Sequence, residues 1–138
     1  MKRTAPNKDR PNDKPGYAAR AAASKILAAV VDRKTPLDGM IDTEHGNPAY
    51  RALGPADRAL TRALVLTTLR HKPMIDQAIA SLLDRPLPGG ARALSHVLAI
   101  AAAQILYLDV PDHSAVDIAV EQANADPRNK RFSGLVNA

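Results

Sequence analysis

Residues 97–108 constrain the fold of this chain more than any other segment, because they read VLAIAAAQILYL and contain one polar side chain, Gln104. The segment has helical character but is shorter than the roughly 20 apolar residues that a membrane-spanning helix needs. It is therefore expected to be a buried helix of a globular protein, surrounded by other elements.

The composition favours helices as those surrounding elements. Hydrophobic residues make up 46% of the 138-residue chain but aromatic residues only 3%, with no Trp and one Phe. A core of Ala, Leu, Val and Ile suits closely packed helices, whereas sheets favour β-branched and aromatic residues. The length matches one ordinary domain. The predicted fold class is therefore all-α.

Apolar periodicity and turn residues divide the chain into about six or seven helices with short links, which is typical of a compact bundle. The predicted helical segments are 17–34, a short one near 37–41, 53–71, 74–83, 91–109, 112–125 and 131–138. The segment 53–71 is apolar on nearly every side and is predicted to be the central helix.

Three helix boundaries have specific signals. Gly54 followed by Pro55, with Asp57 in the first turn, predicts a helix start. Pro73 predicts a break after His71, because the residue before a proline disfavours the α conformation. Ser114 with Asp117 three residues later predicts a capping box at the start of the sixth helix, with Asp in place of the usual Glu.

The net charge of +5 is unevenly distributed. Residues 1–16 hold five basic and two acidic side chains, a net +3, and the other 14 basic and 12 acidic side chains leave +2. This segment also contains three prolines and almost no apolar residue, so it is predicted to be a disordered basic tail. A cationic arm fits nucleic-acid binding, and a solubility-enhancing leader is an equally weighted alternative.

Several classes of site are disfavoured. The chain has no cysteine, which excludes disulfides, thiolate metal sites and cysteine nucleophiles. The four histidines lack metal-binding spacing and are expected to have structural or surface roles, and no glycine-rich nucleotide loop is present. No secretory signal or membrane span is evident, so a soluble cytoplasmic protein is expected. Neither a catalytic residue nor a metal site is predicted.

The remaining candidates are basic side chains. Arg58 and Arg62 are one helical turn apart, and Arg70, His71 and Lys72 form a cluster at a helix end, where the helix dipole offers a structural explanation. Together with Arg20, Lys25 and the basic tail they could form one phosphate-binding face. The predicted RNA-binding set is Arg20, Lys25, Arg58, Arg62, Arg70 and Lys72.

The aromatic residues suggest how RNA would be contacted. Tyr17, Tyr50, Tyr107 and Phe132 are widely spaced in the sequence and give no sign of a platform for base stacking. The predicted contacts are therefore mainly to the phosphate backbone and to RNA shape.

Four motifs in fixed order indicate a family. They read AARAAASKILAAVVDRKTPLDGMID, LGPADRALTRALVLTTLRHKPMIDQAIASLLDRPL, LAIAAAQILYLDVPDHSAVDIAVEQAN and FSGLVNA. This order resembles the NusB-like N-terminal domain of the RsmB (Sun/Fmu) family of ribosomal RNA cytosine-C5 methyltransferases. The resemblance covers residues 17–138, and DRALTRALVLTTLR with VPDHSAVDIAVEQAN is its most specific pair of motifs.

The resemblance implies an all-α bundle of two packed three-helix halves that binds RNA and helps to position it for the catalytic domain. It also implies that the RNA contacts lie towards the first helix and nearby basic residues. It points to Arg20 and Lys25, then to Arg58 and Arg62, with a structural pairing of Arg62 as the alternative. It also implies a separate Rossmann-like domain that binds S-adenosylmethionine and uses two cysteines. This chain contains no cysteine and no segment that resembles that domain. The chain is thus expected to be an inactive domain of a larger enzyme.

The C-terminal segment RFSGLVNA supports the same expectation, because Phe132, Leu135 and Val136 have helical apolar spacing without a stop signal. Two alternatives stay open. One is a stand-alone antitermination factor of the NusB type that binds RNA and a ribosomal protein. The other is a domain that only braces its own catalytic domain, with an exposed apolar patch at these three residues.

Overall fold

The computed structural model describes residues 16–83, 87, 92–108 and 110–125. These residues form seven helices and no strand, in agreement with the predicted all-α bundle of six or seven helices. The helices are α1 (Tyr17–Asp32), α2 (Leu37–Met40), α3 (Pro48–Arg51), α4 (Pro55–Arg70), α5 (Lys72–Leu82), α6 (Arg92–Tyr107) and α7 (Asp112–Ala125).

The core consists of two clusters of buried side chains, and α6 contributes to both. The larger cluster joins α1, α3, α4, α5 and α6; its buried members are Ala23, Ile26, Leu27, Tyr50, Leu64, Val65, Ile75, Ala99, Ile100 and Ala103. The smaller cluster joins α6 to α7; its buried members are Leu94, Val97, Ala101, Ala119 and Ala123. Small residues dominate the α6–α7 cluster, which lets these helices approach closely.

The central helix is α6, so the prediction that the helix containing residues 53–71 is central was wrong. Eight of the α6 side chains are buried, whereas α4 buries four, and Leu66 on α4 is exposed. The physical reason is the composition of α6, in which alanines at 99, 101 and 103 allow neighbours to pack on several sides. The larger side chains of α4 are covered along one face.

Two of the three predicted helix boundaries are confirmed. Gly54 is the N-cap of α4 with Pro55 as its first residue, and His71 is the one-residue link between α4 and α5. The capping box at Ser114 was wrong, since α7 begins at Asp112. The carbonyl of Pro111 accepts hydrogen bonds from the backbone N–H groups of Ser114 (3.0 Å) and Ala115 (3.2 Å), so the helix has already begun before Ser114.

Two predicted segments lie outside the described residues: the basic tail, apart from Gly16, and the C-terminal helix at 131–138 with its apolar residues. The division into two three-helix halves also depends on that C-terminal segment and stays a prediction. Within the described helices, none is both long enough and apolar enough to span a membrane.

Candidate nucleic-acid interface

Arg20 lies inside the bundle, although it was predicted to contact RNA. Its side chain is on α1, and the residue is 8% exposed. Its Nε donates a hydrogen bond to Oε1 of Gln104 on α6 (3.0 Å), and one terminal nitrogen donates to the carbonyl of Gly16 (3.2 Å). Gln104 is itself fixed, because its Nε2 donates to the carbonyl of Ile100 (3.1 Å). This arrangement gives Arg20 an internal, structural role.

The electrostatic environment of Arg20 is consistent with that position. Burial lowers the pKa of its guanidinium, and the nearby Asp57 carboxylate acts in the opposite direction. An arginine nevertheless stays protonated in proteins, so the charge is retained inside the bundle and has to be solvated by hydrogen-bond acceptors. Gln104 and Gly16 supply these acceptors.

Arg58 and Arg62 lie on one flank of α4, as their spacing predicted. Residues four apart differ by about 40° around a helix axis, so both side chains project to the same side. Arg62 is exposed and Arg58 is half-buried. Thr61, between them in sequence, is buried against α1, with its hydroxyl 3.2 Å from the carbonyl of Ala19. Thr61 therefore lies on the side of α4 that packs against α1, and Arg62 is exposed to solvent.

Arg70, His71 and Lys72 lie at the junction of α4 and α5. Arg70 is exposed at the end of α4, and Lys72 begins α5. The Nζ atom of Lys72 is 2.7 Å from Oδ2 of Asp76, one turn along α5, so part of its charge is balanced by an exposed carboxylate. Such surface pairs contribute little to stability, and a phosphate could compete with Asp76 for the ammonium.

The single phosphate-binding face stays a prediction, and only Arg20 is removed from it by burial. Arg62 and Arg70 are eight residues apart on one helix, about 12 Å along its axis at 1.5 Å per residue. Lys25 is exposed on α1, between the half-buried Ser24 and the buried Ile26. The structure thus pairs Arg58 with Arg62 and places Arg70 beside Lys72, while Arg20 is withdrawn from the surface.

An aromatic contact that the sequence did not indicate lies beside the second of these pairs. The rings of His71 and Tyr107 are stacked, with centroids 3.8 Å apart and an angle of 8° between their planes. The contact joins the end of α6 to the α4–α5 link, and the spacing of the tyrosines did not predict it. Spacing along the chain could not reveal the contact, because 36 positions separate the two residues.

A second contact missed by the sequence joins α1 to α6. Nε2 of His96 lies 2.8 Å from Oδ2 of Asp32, and His96 is 4% exposed. The hydrogen bond from His96 is the largest cause that lowers the pKa of Asp32, and the positive charges of Arg92 and Arg33 act in the same direction. Asp32 is exposed at the end of α1, and this contact shows that the end of α1 meets α6.

The potential for other chemistry is small in the part of the chain that the structure describes. No group of three or more His, Cys, Asp or Glu side chains there could hold a metal ion. His71 and His96 have the structural contacts described above, and His45 lies 3.5 Å from Asp42 on the surface. The arrangement at the surface is suited to binding anions through arginine and lysine.

The fold and surface together define a class: a small all-α domain with a buried arginine, exposed basic groups on α1 and α4, and a half-buried lysine at the start of α5. Comparison with known proteins then gives the family. The NusB family model matches residues 17–138, so the chain belongs to the NusB family. The predicted resemblance to the N-terminal NusB-like domain of ribosomal RNA methyltransferases is confirmed by the relatives below.

Three relatives are each named Ribosomal RNA small subunit methyltransferase B. The chain is 37% identical to the protein from Xanthomonas campestris over 123 residues, covering 89% of this chain and 27% of the relative. It is 33% identical to the Vibrio vulnificus protein over 119 residues, covering 86% and 26%. It is 32% identical to the Proteus mirabilis protein over 124 residues, covering 90% and 28%. The chain thus spans about a quarter of the length of these relatives.

Proposed function

We propose that this chain is the RNA-binding accessory domain of an S-adenosylmethionine-dependent ribosomal RNA (cytosine-C5) methyltransferase, and that it helps to position small-subunit rRNA for a catalytic domain. The observation that carries the proposal is the pattern of coverage. Nearly all of this chain matches about a quarter of proteins named as small-subunit rRNA methyltransferases. A domain of that size can bind the substrate while another part of the protein performs the reaction.

The surface supports a role in binding RNA. Exposed or half-buried cations on α4 and at the α4–α5 junction present nitrogen donors to solvent, and the chain carries a net charge of +5. Arginine and lysine bind phosphate oxygens and release counterions from the nucleic acid, which makes affinity depend on salt. The proposed contacts are Lys25, Arg58, Arg62, Arg70 and Lys72, with Arg20 assigned to the interior.

The methyl-transfer step is not assigned to these residues. The chain contains no cysteine that could attack the cytosine ring. S-adenosylmethionine would supply the methyl group in the proposed catalytic domain, which would be the immediate partner of this one. We propose that the protein acts in the cytoplasm.

A salt-dependent binding titration tests the proposal. A labelled hairpin of small-subunit rRNA is titrated with the chain, and binding is followed by fluorescence anisotropy. If four phosphates are contacted, the affinity should fall on the order of 100-fold between about 50 and 200 mM salt. No binding at low salt, or an affinity that does not respond to salt, would contradict phosphate-driven recognition.

The stand-alone antitermination factor is favoured by one observation, the match to the NusB family as a whole. Such a factor would bind a ribosomal protein as well as RNA. Pull-down of a purified ribosomal-protein mixture, with and without nuclease, separates the two functions, since a direct protein contact survives removal of RNA. Nuclease-resistant capture of a single ribosomal protein would favour this alternative over the accessory domain.

A further inference from the structure

The stacked rings of His71 and Tyr107 form a fixed aromatic surface where three helices meet. His71 is the link between α4 and α5, and Tyr107 is the last residue of α6. The backbone of His71 is held from both sides: its N–H donates to the carbonyl of Thr67 (3.1 Å), and its carbonyl accepts from the N–H of Ile75 (3.0 Å). The backbone that carries the imidazole therefore belongs to the hydrogen-bonded ends of two helices.

The stack is accessible from solvent. Tyr107 remains 39% exposed although one face of its ring is covered by His71. Leu106 and Ile105, on the same turn of α6, are also exposed, so this end of the helix has an apolar surface that the bundle does not bury. The other tyrosines differ, since Tyr50 belongs to the core and Tyr17 is half-buried.

Basic residues adjoin His71 in the chain. Arg70 and Lys72 are the immediate neighbours of His71 in the chain, at the end of α4 and the start of α5. Arg70 is exposed, and Lys72 is bound to the exposed carboxylate of Asp76. One nucleotide of a single strand requires a flat face for its base and positive charge for its phosphates. The exposed ring of Tyr107 offers the first, and the two basic neighbours of His71 in the chain offer the second.

We propose that the His71–Tyr107 stack is a platform for an unpaired nucleobase of RNA, with Arg70 and Lys72 contacting the phosphates on either side. This inference rests on the proposed RNA-binding function and makes it more specific. A contact that merely tied α6 to the α4–α5 junction would require neither the exposure of Tyr107 nor cations on both sides of His71. The platform would select single-stranded or looped RNA over a duplex, because paired bases do not expose their faces.

The first test compares two variants of Tyr107 on two forms of RNA. Tyr107→Phe keeps the aromatic face, whereas Tyr107→Leu keeps an apolar side chain without it. Loss of one stacked base should weaken binding of a single-stranded oligonucleotide by about 5- to 100-fold in Tyr107→Leu, while Tyr107→Phe stays within about twofold of wild type. Binding of a duplex of the same sequence should be equal in all three proteins.

The salt dependence of binding identifies the cause of any loss. Tyr107→Leu removes no charge, so its slope of log affinity against log salt should equal that of the wild type. Circular dichroism and thermal unfolding verify that each variant is folded. Equal single-strand affinity of wild type and a folded Tyr107→Leu would overturn the platform.

A second test uses the unaltered protein and needs no RNA strand. Adenosine monophosphate is added at millimolar concentration, and the ring protons of His71 and Tyr107 are followed by NMR. Stacking of the adenine should shift these protons upfield more than those of the buried Tyr50. Unchanged ring signals would overturn the platform even if Tyr107→Leu failed to fold.

The two tests distinguish failure of the platform from failure of the proposed function. If the wild type binds RNA with the expected salt dependence but shows neither the Tyr107 effect nor ring shifts, RNA binding stands and the platform is refuted. If the wild type binds no RNA, the proposed function fails. The platform as an RNA site then fails with it, whatever the mononucleotide does.

Discussion

Arg20 on α1 donates a hydrogen bond from Nε to Oε1 of Gln104 on α6, at a distance of 3.0 Å, and the two residues are 8% and 1% exposed. The bond joins the first helix to the central helix. It also explains why a polar residue interrupts the apolar run at 97–108: Gln104 accepts from a buried guanidinium.

Replacing Gln104 by Leu should destabilise the protein, because it removes an acceptor from a buried charged donor. The expected loss in the free energy of unfolding is about 1.5–3 kcal/mol. Arg20→Met should cost a similar amount, since it leaves the Gln104 amide oxygen unpaired. The double variant Arg20→Met/Gln104→Leu should lose clearly less than the sum of the two, which urea unfolding of all four proteins measures.

If the loss in the free energy of unfolding of the double variant equals the sum of the two single losses, the hydrogen bond contributes no coupling energy.

The same variants test whether Arg20 binds RNA, as the sequence suggested. An internal role predicts that folded Arg20→Met keeps the salt slope of the wild type. A decrease of about 0.9 in that slope would instead assign one phosphate contact to Arg20.

Gly16 provides a further test of how Arg20 is held. Its φ is +81°, in the left-handed region, and its carbonyl accepts from Arg20. The Cβ of an alanine at this position would overlap the Arg20 guanidinium. The alanine would also have to adopt a left-handed backbone conformation, which is unfavourable for residues with a side chain. Gly16→Ala should therefore reduce the free energy of unfolding by about 1–2 kcal/mol, measured by urea denaturation.

A control for this prediction is Gly39→Ala, since a Cβ at Gly39 would have no neighbouring atom within 4 Å and the residue has no positive φ. It lies in the short helix α2, where alanine is the better helix former. Gly39→Ala should be neutral or slightly stabilising. Equal losses for both substitutions would indicate that the conformation of Gly16 is unimportant.

Local features were predictable from the sequence, whereas contacts between distant segments were not. Apolar spacing identified α1 and α4, and Gly54–Pro55 and Pro73 located two boundaries, because these signals act within one turn of a helix. Arg20 was predicted to contact RNA, yet its side chain lies inside the bundle. Whether such a residue turns inward depends on an acceptor across the interface, here Gln104, 84 positions away.

Prediction of the candidate site from the sequence has the same limit. The spacing of Arg58 and Arg62 correctly placed them on one flank of α4, since four residues return to the same side of a helix. The His71–Tyr107 stack and the Asp32–His96 contact each depend on how two helix ends meet. Periodicity describes which face of a helix is apolar but not which residue of another helix lies opposite.

The Asp32–His96 contact should make stability depend on pH at the acid end. Because the hydrogen bond from His96 holds the pKa of Asp32 below its ordinary value, the ionised carboxylate favours the folded state. This contribution is present above the unfolded-state pKa and is lost as pH falls through the lower, folded-state pKa. Asp32→Asn should therefore destabilise the protein at neutral pH, with a difference from wild type that shrinks on acidification.

Urea unfolding at a series of pH values from about 7 to 3 measures this difference. The matched control repeats the comparison in a His96→Gln background, where the imidazole is absent. There, Asp32→Asn should change the pH profile less. A difference between wild type and Asp32→Asn that is constant over the whole range would refute the contribution of Asp32.

The final prediction concerns the flank of α4. Arg58→Gln with Arg62→Gln removes two charges from neighbouring positions while keeping polar side chains of similar reach. If each arginine contacts one phosphate, the slope of log affinity against log salt should decrease by about 1.8, and affinity should fall for all RNA sequences alike. Fluorescence anisotropy at several salt concentrations gives both quantities.

The control removes the same charge from a different place. Arg33 and Lys34 are exposed in the link after α1, outside the proposed set, and Lys34 has a φ of +58°. Arg33→Gln with Lys34→Asn keeps that conformation accessible, because asparagine tolerates the left-handed region. If the flank of α4 binds RNA specifically, this control keeps most of the wild-type slope. Equal decreases in both double variants would mean that RNA responds to the net charge of the domain, and the assignment of Arg58 and Arg62 would be withdrawn.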